Sequence, residues 1–424
     1  MAILILSRVF VVWLVASPLA SAERRHDLVQ LEITSERQKR DISGVLQKHN
    51  VDVLHQHLVA VRGGPDATDR FKRDLTNIDI RHTLVKRDVE EQFQVPFSDI
   101  GSFGSSDQLT SYDPNKYYHY QDQMNFLEAA NSHRPWMTEL FTIGRSAQGG
   151  DIRGIKIEKS TKNLKKVVWI DAGVHAREWI AHATSLYVIW ALLTQSTEPD
   201  VSQILDMAQL HIVPNANPDG YEYSWTQGNR FWRKNRGGLF CGWSSAGVGS
   251  EDCCGTDLNR NFPFKWGVSG SSTNPCEEIF QGSQPLSEPE ASSYAAKIQS
   301  MQHQIQLLVT LHSFGETILV PYGYAHSAYP ENYNETLRVA KAAVESMSEP
   351  FGQPYVAEHS AQLYPAGGAS DDWAKSMGIP YVYTLELRPG VDNAGMDGFH
   401  VPAGDIWKSG IETIRGLKRM LMEL

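Results

Sequence analysis

Past its first residues this sequence has no apolar run long enough to cross a bilayer. It contains no HExxH string and no GxSxG turn, which excludes one class of metallo-endopeptidase and the serine hydrolases built on a nucleophile elbow. It also lacks a long basic run or an alternation of aromatic and basic residues, so nothing marks a nucleic-acid surface. The net charge of -10 and the pI near 5.8 provide solubility and no more. Cysteine is scarce, and the 4 present, Cys241, Cys253, Cys254 and Cys276, fall in one short region. In an oxidising compartment this clustering predicts two disulfides that staple a long loop; vicinal cysteines rarely bond each other, and spacing alone leaves the pairing open. Tryptophan is missing from residues 23 to 90, and neither Lys nor Arg occurs from Asp88 to Asn115.

What is present divides the chain. Its 424 residues exceed one ordinary domain and suffice for a large buried core. Residues 1–22 set Arg8 before the apolar stretch VFVVWLVASPLA and end on Ala20-Ser21-Ala22, the pattern of a signal peptide, which predicts a secreted, extracellular protein. The charged part that follows, to about residue 90, reads as small mixed α/β. DLVQLEI and VDVLHQHLVAVRG are its strands, with helices near Thr34 to Lys48 and Ala67 to Asn77. The Ser-, Gly- and Asp-rich stretch from Asp88 to Asn115 reads as a connecting segment. Beyond it, strands such as AQLHIVPNAN, IQLLVTLHS and PYVYTLEL alternate with helical stretches such as HATSLYVIWALLTQ and NETLRVAKAAVESM. That alternation predicts an α/β fold, a largely parallel sheet with helices on both faces. Asn334-Glu335-Thr336 is a glycosylation sequon, expected at the surface.

The run from Lys166 to Glu178, KVVWIDAGVHARE, carries the most chemistry: an apolar strand ends in a loop that offers His175 and Glu178 three residues apart. Two further strands end in similar groups, His312 in IQLLVTLHSF and Glu386 in YVYTLEL. Open α/β sheets bind ligands outside the carboxyl ends of their strands. A catalytic zinc takes three protein ligands of this kind and leaves one position open for water. Zinc lowers the pKa of that water to about 7, so a nearby carboxylate can take its proton during attack on a carbonyl and return it to a leaving amine.

Six separated motifs then match one family in order: HARE (175–178), NRFWRKNR (229–236), DLNRNF (257–262), LHSF (311–314), LYPAGGASDDW (363–373) and LELR (385–388). On these the second part resembles a pancreatic-type zinc metallocarboxypeptidase of the A/B group, over nearly all of residues 108–424. The first part resembles the activation segment of the same secreted zymogens. The resemblance implies a signal peptide at 1–22, a small antiparallel α/β pro-domain and connecting segment at 23–107 shielding the active site, and a zinc carboxypeptidase domain at 108–424.

Carried over, it assigns one zinc ion to His175, Glu178 and His312, the general base to Glu386 and oxyanion stabilisation to Arg233. Asn259 and Arg260 bind the substrate's terminal carboxylate, which suits the bidentate fork of Arg. Tyr364 closes over that carboxylate, and Arg177 lines the path of the substrate. Lys234 and Arg236, by contrast, read as a solvated basic turn. Specificity turns on Asp371, which in the family sits at the base of the side-chain pocket, where it would pair with Lys or Arg and leave an apolar side chain facing an unpaired charge. Asp372 packs structurally. This is the B-type pattern, releasing C-terminal Lys or Arg.

His359 at a pocket position, Ala369 for a usual Gly, and an A-type Gly323 depart from that pattern and keep an A-type enzyme, releasing hydrophobic residues, as the alternative. Phe314 stands where Tyr is common. The implied partners are peptide C-termini and an activating protease, acting on a monomer without membrane or nucleic-acid contacts. The basic residues nearest the connecting segment are Lys86 and Arg87, so release needs later trimming or a protease that does not require a basic residue. A secreted binding protein that has lost its chemistry is the non-enzymatic alternative.

Overall fold

A computed structural model describes residues 26–49, 51–55, 58–87, 96–159, 165–238, 253–362, 364–390 and 398–424. The signal-peptide reading of residues 1–22 and the cysteine Cys241 lie outside the described residues. Two separate sheets are present. The first belongs to residues 26–87: β1 (His26–Glu32), α1 (Glu36–Lys48), β2 (Val51–His55), β3 (Leu58–Arg62), α2 (Gly64–Asn77) and β4 (Arg81–Lys86). Its order is β2-β3-β1-β4 and every pairing is antiparallel. Ser35 caps α1 by accepting the Gln38 N–H, and Pro starts α2 where its missing N–H costs nothing. Val29, Val59, Val61, Phe71 and Leu75 close a small core.

Two local readings change here. VDVLHQHLVAVRG is a hairpin and not one strand, with Val53 opposite Val59, because folding back lets both halves pair within the sheet. The edge strand β4 was not expected, since RHTLVK sets three polar residues before Leu84 and Val85, does not alternate and is little buried.

The larger unit follows with α3 (Tyr120–His133), β5 (Thr138–Arg145), β6 (Asp151–Ile157), β7 (Lys166–Ala172), α4 (Trp179–Thr194), α5 (Pro199–Met207), β8 (Ala208–Val213), α6 (Pro218–Ser224) and α7 (Pro289–Met301). It continues with β9 (Ile305–Gly315), β10 (Thr317–Val320), α8 (Tyr333–Ser348), β11 (Val356–His359), α9 (Ser370–Ser376), β12 (Tyr381–Gly390) and α10 (Ile406–Glu423). The sheet runs β11-β10-β12-β9-β7-β8-β6-β5, and its central strands β12, β9, β7 and β8 are parallel. Antiparallel pairs flank them, so the sheet is mixed and largely parallel, as the alternation predicts. Covered on both faces, the central strands are apolar nearly throughout. Val168, Ile170 and Ala172 pack with α4, α8 and α10, whereas Trp169 points the other way toward α7.

At the end of β12 the Arg388 fork meets Glu412 of α10 through Nε and Nη2 at 2.8 and 2.5 Å, and Tyr355 donates to the same carboxylate at 3.0 Å. Both charges are buried. Glu412→Ala removes the carboxylate to which Arg388 donates, leaving only the more distant Glu316, and is expected to lower unfolding stability by about 3 kcal/mol. Denaturant titration measures this, and a loss near zero would mean that water replaces the pair.

Candidate metal centre

The central strands end side by side, and their ends hold the candidate residues. Beyond β7, Gly173 adopts φ +75, and a Cβ there would sit 2.0 Å from His182 Cε1, so only glycine makes this turn toward His175. Glu178 opens α4. His312 of β9 lies in register with Glu386 of the parallel β12. These three turns of chain bring the His175, Glu178 and His312 ligand atoms within 4.8 Å of one another, all buried.

The donor set fits zinc. His175 Nδ1 and His312 Nδ1 lie 3.2 Å apart, and the two Glu178 oxygens lie 2.7 and 3.0 Å from them. Tetrahedral ligands about 2.0–2.1 Å from a metal stand roughly 3.3 Å from each other, close to this spacing. Behind the triad, His175 Nε2 contacts Asp257 Oδ1 at 3.2 Å, the carboxylate partner that orients a ligating imidazole and leaves Nδ1 for the ion. Burial, followed by Arg233, holds the His175 pKa down, which favours the neutral ring a metal needs. Burial would raise the Glu178 carboxyl, but the two histidine rings overcome it and keep it ionised.

Asp257 is the residue the sequence reading missed. Its motif was recognised without a role for its first member. The carboxylate accepts from Arg233 Nε at 2.9 Å and from the Asn259 N–H at 2.9 Å, while Arg260 stands 3.9 Å away. Burial works against its charge, yet Arg233, Arg260 and His175 hold its pKa well below the ordinary range. One carboxylate therefore positions an imidazole of the triad and two of the arginines around it. Beneath them Asp171 accepts from Thr310, Tyr294 and Trp169 and ties β7 to β9 and α7.

Glu386 lines the same cavity as the triad, Arg233, Asn259, Arg260, Tyr364 and Asp371. Enclosure pushes its carboxyl up to about 8; His312 opposes this shift and Glu178 adds to it. Arg260 is fixed by donating to the carbonyls of Gly270 and Asn259 at 2.7 Å each, and its Nη2 donates to the Tyr364 hydroxyl at 3.3 Å. Asn259 uses its oxygen to accept from the Ser370 N–H. Asp371 accepts from Thr384 Oγ1 and from the Asp372 N–H, each at 2.9 Å, whereas Asp372 is taken up by the N–H groups of Gly323 and Tyr324.

Arg177 is buried at the edge of the cavity, with its guanidinium 4.5 Å from the ring of Phe399, which lines it, and Nη1 3.5 Å from the Phe231 carbonyl. Two sequence readings need correction. Lys234 and Arg236 do not form a solvated turn. Lys234 is buried and donates to the Pro275 carbonyl, and Arg236 stacks over Tyr223 at 3.6 Å, because the loop after α6 folds inward to deliver Arg233. His359 turns away from the cavity; its Nε2 donates to the Ala328 carbonyl at 2.8 Å and its ring packs on Tyr329 and Tyr333. Of the cysteines, Cys253 is bonded to Cys276.

The N-terminal unit touches the rim of this site. Leu28 and Ala60 pack with Phe231, Phe314 and Phe399, and the last two also line the cavity. Arg62 Nη1 and Glu278 Oε1 form a buried pair at 3.0 Å across the same contact.

A family model described as zinc carboxypeptidase matches residues 123–416. Zinc carboxypeptidase A 1 of Drosophila melanogaster is 30% identical over 97% of this chain and 95% of its own length. Carboxypeptidase B of Bos taurus is 36% identical over 74% of this chain and 72% of its own. The crystal structure of the carboxypeptidase A from Helicoverpa armigera superposes with a TM-score of 0.81 at 26% identity, covering 94% of this chain and 97% of that one.

Proposed function

The chain belongs to the zinc carboxypeptidase family, and on that premise we propose that it is a secreted zymogen whose mature enzyme releases Lys or Arg from peptide C-termini. One observation carries the specificity. Asp371 is a buried carboxylate on the cavity wall whose two accepted hydrogen bonds leave acceptor sites toward the cavity, while its neighbour Asp372 accepts two backbone N–H groups and does not line the cavity. An apolar side chain entering there would leave that charge unpaired; a cation would pair with it. Relatives named carboxypeptidase A and carboxypeptidase B both match, at 30% and 36% identity, so the preference rests on Asp371.

In this reading His175, Glu178 and His312 hold one zinc ion per catalytic domain. Zinc bound there supplies Lewis acidity toward the scissile carbonyl and toward water. Arg260 and Asn259 bind the terminal carboxylate, with Tyr364 beside them, which sets the last peptide bond between the triad and Glu386. Glu386 takes the proton of the attacking water and passes it to the departing amine, as a carboxylate enclosed in the same cavity as the triad can do. Arg233, anchored by Asp257, offers positive charge to the oxyanion.

Residues 1–22 direct secretion, residues 23–107 form the pro-segment and connection, and residues 108–424 are catalytic. The packing of Leu28 and Ala60 on cavity residues supports inhibition by the pro-segment. Lys86 lies within β4 and Arg87 pairs with Asp27 at 3.3 Å, so this dibasic pair is held by the folded unit. That favours release by a cut beyond it.

The test is hydrolysis of matched peptides ending in Arg, Lys and Phe by the secreted full chain, before and after limited proteolysis. Proteolysis is expected to raise turnover, Arg and Lys to exceed Phe by at least about tenfold, and a zinc chelator to abolish release until zinc is restored. Preference for Phe would establish the A-type alternative, and no turnover of any peptide the loss of chemistry.

A further inference from the structure

We propose that Ser360 is a second specificity-determining residue, which together with Asp371 makes the side-chain pocket select arginine over lysine. The inference rests on the basic-residue reading above and deepens it. His359, the last residue of β11, turns outward to Ala328, and Ser360, the first of the 3-10 turn that follows, lines the cavity. Its residue surface is 8% exposed and its Oγ has no hydrogen-bond partner among the described residues. A buried hydroxyl left unpaired in a binding cavity is a site waiting for a polar group.

Gly323 keeps that hydroxyl open. A Cβ at Gly323 would lie 3.0 Å from the Ser360 Cβ, so a side chain there would crowd the serine. The A-type residue at Gly323 thus serves a polar pocket in this chain. Asp371 retains acceptor sites on both oxygens after the bonds from Thr384 and Asp372. A guanidinium carries five N–H donors spread over a rigid plane, enough to reach both Asp371 and a separate hydroxyl. An ammonium carries its three donors on a single atom, which settles against the Asp371 carboxylate and cannot span to a separate hydroxyl as the guanidinium plane does. The hydroxyl therefore adds an acceptor that arginine uses and lysine does not.

The experiment compares kcat/KM for peptides ending in Arg, Lys and Phe in the zinc-loaded, proteolytically activated wild type and in Ser360→Ala. Loss of one hydrogen bond to a charged group predicts a fall of about tenfold for Arg, mostly in KM, with Lys changed by less than about twofold. Lysine turnover doubles as the check on folding. A second variant, Gly323→Ala, which crowds the Ser360 hydroxyl without adding an acceptor, is expected to lower the Arg-to-Lys ratio in the same direction. Equal losses on Arg and Lys, or no loss on Arg, would overturn the role of Ser360 while leaving the basic preference standing. A wild type that releases Phe and not Arg would overturn both.

Discussion

Glu386→Gln should lower kcat on the order of 10³-fold and leave zinc content at the wild-type level. Glutamine keeps the size and the polar contacts of the side chain but cannot accept the proton of the attacking water. Because Glu386 lies in register with His312 without belonging to the His175, Glu178 and His312 triad, the metal should stay in place. The measurement is single-turnover hydrolysis together with metal analysis of the same sample. Loss of zinc along with activity would recast Glu386 as structural, and unchanged activity would end the proposed proton transfer altogether.

Asp371→Ala should lower kcat/KM for peptides ending in Arg or Lys by roughly 10²–10³-fold, the consequence of leaving a buried substrate cation without its counter-charge. Peptides ending in Phe should gain, since Leu319, Phe314 and Ala369 already supply apolar wall and the unpaired charge would be gone. The crossing of the two substrates matters more than either change alone, because damage to the fold lowers both. If Arg and Phe peptides fall together, Asp371 holds Thr384 and α9 in place and does not read the substrate.

The larger unit was legible because its central strands are apolar runs separated by helical stretches, and a buried parallel sheet leaves no other arrangement for such a pattern. Each strand also ends where its apolar run stops, which located His175, Glu178, His312 and Glu386 one at a time. The N-terminal unit was less legible. Its strands are short, β4 is half polar, and the hairpin between β2 and β3 interrupts what reads as continuous alternation.

The sequence by itself determined the fold class, the residue types at the strand ends and the motifs that identify the family, since these depend on local pattern and on order along the chain. Only the tertiary structure decided which side chains share a cavity. It joined Asp257 to both His175 and Arg233, drew Lys234 and Arg236 into the interior, turned His359 away, and exposed Ser360 to the pocket. Such choices depend on which way a strand or loop faces once its neighbours are packed. Where β11 gives way to the turn after it, His359 faces Ala328 and Ser360 faces the cavity, and no spacing in the sequence records that turn.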